Sequence, residues 1–234
     1  NTWFAIVDGY YTDPIPNVES LIFAVDQCAF PAGFLAAAWA DIQDPADPKV
    51  GYVGGIQSEI VEQFTAPYKS GVAFYNQKYG KNVQTLGEYA GTFASAKKGR
   101  ELGESLLAQG VDVLFGAGGF AGNGALAAAK AQGRWGIGVD VDQYYTLIDE
   151  QSCLLTSCEK NMDNAVYAVV SAASSGSFNG GGVYRGTLEN KGVGLAPFHD
   201  FEDKIPGAIK KDLQEIQQKI ISGELSTGWP PKLP

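Results

Sequence analysis

The residues best suited to chemistry are glycines, acids and one lysine, and they sit just after short apolar runs. Asp8 follows 4–7, Gly54-Gly55 follow 50–53, and the loop 116–124 follows 113–115. Asp140-Val141-Asp142-Gln143 follow 137–139, and Lys160 lies shortly after 154–157. In open α/β sheets, ligands bind beyond the carboxyl ends of the strands. Glycines there allow close backbone approach, carboxylates accept hydrogen bonds and a lysine donates them, which together suit a small polar ligand. Gly116-x-Gly118-x-x-Ala121, with Asp140 about twenty residues on, also fits a dinucleotide fingerprint. That pattern is weakly specific, and no second mononucleotide half follows it. Three readings of the glycine loop remain open: tight strand–helix turns only, a dinucleotide site, or direct contact with another ligand.

No hydrolytic apparatus is evident. His199, the sole histidine, lies in a polar loop and reads as solvated, so a Ser–His–Asp triad has little support. Asp140 and Asp142 are two apart and, if extended, point to opposite faces, so they form no acid–base pair; a turn or helix cap is the simpler role for Asp142. With one histidine and no CxxC, a metal site is not expected, and neither is a cofactor. Three cysteines, Cys28, Cys153 and Cys158, cannot all pair within the chain. An extended 153–158 segment puts its two Cα atoms about 16 Å apart, beyond the roughly 7 Å a disulfide tolerates, so that pair requires a turn.

The elements that must position these residues alternate almost throughout. Strands are expected at 4–8, 21–26, 49–55, 83–89, 111–116, 135–139 and 154–157, and helices at 30–42, 59–79, 96–109, 124–132 and 161–174. Gly80, Gly110 and Gly133 punctuate helix ends, and Pro67 should kink the helix 59–79. Residues 176–197 are Gly-rich and suggest an antiparallel hairpin. Ile205, Ile209, Leu213, Ile216 and Ile220 recur at helical spacing in 205–222, and 229–234 reads as an extended tail. This alternation predicts an α/β fold of parallel sheets with right-handed crossovers. The Pro/Asp stretch 43–48 marks the natural boundary. The chain then divides into 1–42, the end of a first lobe; 43–160, a second lobe with the ligand-facing loops; and 161–234, a hinge-crossing hairpin and terminal helices returning to the first lobe.

The 234 residues carry a net charge of −9, with 45% hydrophobic and 18% charged residues, as in a globular protein. The negative balance opposes general nucleic-acid binding. No apolar run reaches the roughly 18 residues of a membrane span, and the stretch 30–39 reads as a buried helix. The first residues, 1–8, resemble a strand rather than a signal peptide.

In order and spacing, the chain resembles the basic membrane protein family of substrate-binding lipoproteins, which includes purine nucleoside receptors of ABC importers. The resemblance rests on Phe4-Ala5-Ile6-Val7-Asp8, Asn17-Val18, Ala32-Gly33-Phe34-Leu35-Ala36-Ala37, Val50-Gly51-Tyr52-Val53-Gly54-Gly55 and Gly118-Gly119 with Gly122-Asn123-Gly124. Most specific is Gly138-Val139-Asp140-Val141-Asp142-Gln143, followed by Leu155-Thr156-Ser157 and Lys160. It implies a type I periplasmic-binding-protein-like fold: two parallel-sheet α/β lobes joined by a hinge. It further implies a ligand held between the lobes, an ABC permease as partner, an extracytoplasmic location and a lipid anchor outside this chain. By the resemblance, Asp140 accepts from two ribose hydroxyls, Lys160 lies near the sugar and Asp8 reads base nitrogens. Gly118 and Gly122 line the ligand, and Phe115 or Phe120 stacks on the base; Phe115 as plain core and Lys160 as a mere partner of Asp140 stay open.

The chain departs from the family pattern in two places. The family's N-terminal stretch with an Asp-x-Ser-Phe-Asn type motif has no counterpart, so the N-terminal part of the first lobe is expected to be absent from this sequence. Gly119-Phe120-Ala121-Gly122 replaces the usual Gly-Gly-Thr-Gly. A nucleoside receptor is the leading expectation. The alternatives are a same-fold binding protein for a sugar or autoinducer-like solute, an NAD-dependent oxidoreductase, and a sensor domain of the same fold.

Overall fold

A computed structural model describes residues 2–230. The expectations for 1 and for the tail positions 231–234 lie outside the described residues. The chain forms two sheets. The smaller has the order β1-β2-β8, with β1 (Phe4–Val7), β2 (Val18–Phe23) and β8 (Val183–Gly186) all parallel. The larger has the order β4-β3-β5-β6-β7-β9. Its strands are β3 (Lys49–Gly54), β4 (Gln84–Tyr89), β5 (Val113–Phe115), β6 (Trp135–Asp140), β7 (Leu154–Lys160) and β9 (Val193–Leu195). Only β9 runs antiparallel, against β7.

Helix α1 (Asp26–Gln43) is buried from Cys28 to Ala40, as its all-round apolar sequence requires. It covers β3, β5, β7 and β9 and packs against α2 (Glu59–Tyr79). The two helices meet backbone to backbone: a Cβ on Gly33 would fall 1.9 Å from the Tyr68 carbonyl oxygen, and one on Gly71 would fall 1.9 Å from that of Phe30. Helix α2 remains one assigned helix through the buried Pro67. On the other face, α3 (Ala96–Ala108) and α4 (Phe120–Ala131) pair the same way, with Gly99 against the Ala121 carbonyl and Gly124 against that of Ala96. Helix α5 (Met162–Ser174) touches β1, whereas α6 (Gly207–Ser222) packs on α1.

Two expectations about chain organisation are corrected. Residues 176–197 form no hairpin: β8 joins the smaller sheet and β9 the larger, and the intervening turn carries the chain across. There Gly186 and Gly192 approach so closely that a Cβ on Gly192 would lie 2.3 Å from the Gly186 Cα. The stretch 43–48 is a turn within the larger-sheet unit. The passage between sheets occurs earlier, at 24–25, because α1 packs on the larger sheet, and α6 stays with it. Among the described residues the chain therefore crosses between the sheets three times, at 24–25, at 161 and at 187–192. These crossings are mutually bonded: Ala24 N–H donates to the Gly186 carbonyl at 2.8 Å, and Asn161 N–H to that of Gly192 at 2.9 Å.

Candidate functional site

The crossings bring the C-terminal edges of both sheets face to face. Asp8 follows β1, Asp140 ends β6 and Lys160 ends β7. Both acids adopt left-handed backbone, with φ of 56° and 69°, a conformation uncommon outside glycine and concentrated at functional sites. Lys160 lies 8% exposed, with its Nζ 2.8 Å from Asp8 Oδ2 and 3.7 Å from Asp140 Oδ1. A buried ammonium needs such partners, since its desolvation would otherwise cost several kcal/mol, on the order of the penalty for any unpaired buried ion. Asp8 comes from the smaller sheet and the other two from the larger, so one charge cluster spans both units.

Burial first pushes the Asp140 carboxyl above the usual carboxylate range; Lys160 pulls it back, and the like charge of Asp8 adds to the rise. Beside the cluster is a cavity of about 120 Å³, lined by Asp8 and Lys160 with Tyr10, Phe23, Gln63 and Phe64 among others. The Lys160 ammonium lies 5.7 Å from the Phe23 ring centroid. The arrangement offers acceptors on both sides of one cation, next to an aromatic-lined recess, and no nucleophile–base pair.

The remaining expected site residues lie elsewhere. Phe115 is fully buried, stacked on Tyr68 with ring centroids 5.0 Å apart; of the two placements left open for it, stacking on a ligand or plain core, this one is core between α2 and the sheet. Gly118 rests on the β3–α2 loop, where a Cβ would come within 2.7 Å of the Gly55 nitrogen, and a Cβ on Gly122 would come within 2.3 Å of the Gly116 carbonyl oxygen. Gly118 thus packs the end of β5 against that of β3, and Gly122 seats the first turn of α4 on the end of β5. Phe120 begins α4 and is 65% exposed.

Residues 1–228 match the family described as ABC transporter substrate-binding protein PnrA-like. The chain belongs to this family. Among its relatives, the "CD4+ T-cell-stimulating antigen" of Listeria monocytogenes is 33% identical over 235 residues, covering 95% of this chain and 62% of the relative. "Basic membrane protein B" of Borreliella burgdorferi is 30% identical over 229 residues, covering 95% and 61%. The chain thus spans slightly less than two thirds of the length of these relatives. A solute-binding protein of an ABC transporter system from Aeropyrum pernix K1 superposes with a TM-score of 0.86 at 26% identity, covering 96% of this chain and 70% of that one.

Several side-chain placements in this family member were not evident from sequence. Phe93, in the loop after β4, lays its ring over Gly55, where a Cβ would fall 2.3 Å from the ring, and is 43% exposed. Its position after a strand end was the available signal. Tyr10, Phe23 and Gln63 line the cavity through tertiary placement alone. His199 is not solvated as expected: its ring is 14% exposed, its Nε2 lies 2.7 Å from Asp142 Oδ2, and it stacks on Tyr144 at 4.0 Å. Asp142 also accepts from Tyr144 N–H at 3.2 Å, the local turn role expected of it. The three cysteines are free and buried.

Proposed function

We propose that this protein is an extracytoplasmic solute receptor that holds a nucleoside between its two sheets and delivers it to an ABC permease. Its membrane attachment is through a lipid anchor outside this chain. The observation that carries this reading is the Asp8–Lys160–Asp140 cluster, assembled from both units beside a recess. A carboxylate offers two coplanar acceptors to a cis-diol, and each charge-assisted hydrogen bond contributes about 1.5–3 kcal/mol. Asp140 takes the ribose hydroxyls, Lys160 assists at the sugar and Asp8 reads the base. In the free protein Lys160 pairs with both acids and leaves one negative charge over, so the ligand replaces contacts already made rather than entering an unpaired site. Gly118 and Gly122 shape the rim, and Phe120 supplies the stacking aromatic.

A polar solute without a base, such as a sugar, is the second reading. It is favoured by the burial of Phe115, which leaves aromatic stacking to the rim and recess. A thermal-shift screen separates these readings, because a ligand stabilises by about 2.7 kcal/mol at a hundred times its Kd. Adenosine, guanosine and inosine should raise the Tm, while ribose and NAD should not. Stabilisation by ribose alone would establish the sugar reading, and stabilisation by NAD would revive the oxidoreductase.

A further inference from the structure

The Asp140 turn is strained and is held by one side chain. Val141 N–H donates to the Val139 carbonyl at 2.9 Å, closing a three-residue turn around Asp140 at φ 69°. This is the left-handed, rare and strained form of the γ-turn. Such conformations persist only where the surroundings over-determine them. Here the surroundings converge on Gln143, which is 7% exposed. Its Oε1 accepts from Val139 N–H at 2.9 Å, its own N–H donates to Ser157 Oγ at 3.0 Å, and its Nε2 donates to Asn123 Oδ1 at 2.9 Å. Only a glycine fits beneath it: a Cβ on Gly138 would fall 2.5 Å from Ser157 Oγ and 2.6 Å from Gln143 Oε1.

We infer that Gln143 is a positioning residue of the binding site: it fixes the strained Asp140 turn and locks it to β7 through Ser157 and to the glycine loop through Asn123. The inference rests on the proposed function only where ligand affinity is concerned. The amide of Val139 cannot be bonded this way without Gln143, so the geometry of the Asp140 carboxylate and the rim of α4 move as one piece. Glutamine suits the role because one end accepts and the other donates; glutamate keeps the acceptor for Val139 but loses the donor to Asn123.

Two measurements test this. Hydrogen exchange needs no ligand: in Gln143→Met, the Val139 amide should exchange at least about tenfold faster, the loss of one hydrogen bond, while the Val113 amide within β5 is unchanged. Unchanged exchange at Val139 overturns the inference whether or not a nucleoside binds. The second is a double-mutant cycle with adenosine. Gln143→Met should weaken binding about tenfold in the parent, Gln143→Glu should recover part of it, and Gln143→Met should add nothing in an Asp140→Ala background. An equal loss in both backgrounds would make Gln143 a general structural residue and sink the positioning role. A parent protein that binds no adenosine would instead count against the nucleoside reading and leave the exchange result to decide on Gln143.

Discussion

Asp140 holds its carboxylate near that of Asp8, with the Lys160 ammonium shared between them. Burial raises its pKa above the ordinary range despite the lysine. A raised folded-state pKa means that this group's contribution to stability is present below its unfolded value and is lost as pH rises through the folded value. At neutral pH the ionised carboxylate of Asp140 is thus less favourable in the ligand-free fold than its protonated form, although its side chain is still 47% exposed. Asp140→Asn should raise the Tm of the ligand-free protein at pH 7, and the gain should vanish below about pH 3.9, the ordinary aspartate value. A lower Tm at pH 7 in a scanning calorimeter would refute this account of the site. Asp8, Asp140 and Lys160 could be singled out in the sequence because the first two stand directly at an expected strand's carboxyl end and Lys160 lies shortly beyond the expected strand 154–157, whereas roles toward a ligand came from the family resemblance alone. The Asp142–His199 pair was not, because fifty-seven positions separate partners that only the tertiary fold brings together.

At the scale of elements, α2 and α6 are joined by one buried acid. Asp212 accepts from Lys78 Nζ at 2.7 Å and also from the Tyr79 hydroxyl. Burial works to raise the Asp212 pKa, but the two hydrogen bonds and the lysine charge outweigh it and hold the carboxyl below the usual range. The same bond pushes the Tyr79 hydroxyl up to about 12. A depressed acid stabilises above its unfolded pKa and loses that stabilisation as pH falls through the folded value. Asp212→Asn should thus lose stability at pH 6 and show a flatter stability profile below about pH 4; an unaltered urea midpoint at pH 6 would contradict the tie. Most helices and strands were readable from periodicity and glycine punctuation. The fate of β8 and β9 was not, because strands adjacent in sequence that pair in different sheets leave no local mark. The turn chemistry of 187–192 looks the same whether the chain folds back or crosses over.

Across the whole molecule, three bonded crossings join two sheets whose carboxyl edges share a charge cluster, a geometry suited to hinge closure around a ligand. The two-sheet α/β architecture was legible from strand–helix alternation. The boundary was not, because α1 follows a strand of one sheet yet buries its apolar surface against the other. The net charge of −9 opposes polyanion binding, and among the described residues no helix is long and apolar enough to cross a membrane. The most direct test of the binding account is titration calorimetry of adenosine and 2′-deoxyadenosine against the parent protein and Asp140→Ala. The account predicts that the parent binds adenosine at least about tenfold more tightly than its deoxy analogue, the worth of one charge-assisted hydrogen bond, and that Asp140→Ala binds both weakly and alike. Equal affinity of the parent for the two, or undiminished adenosine binding by Asp140→Ala, would contradict it.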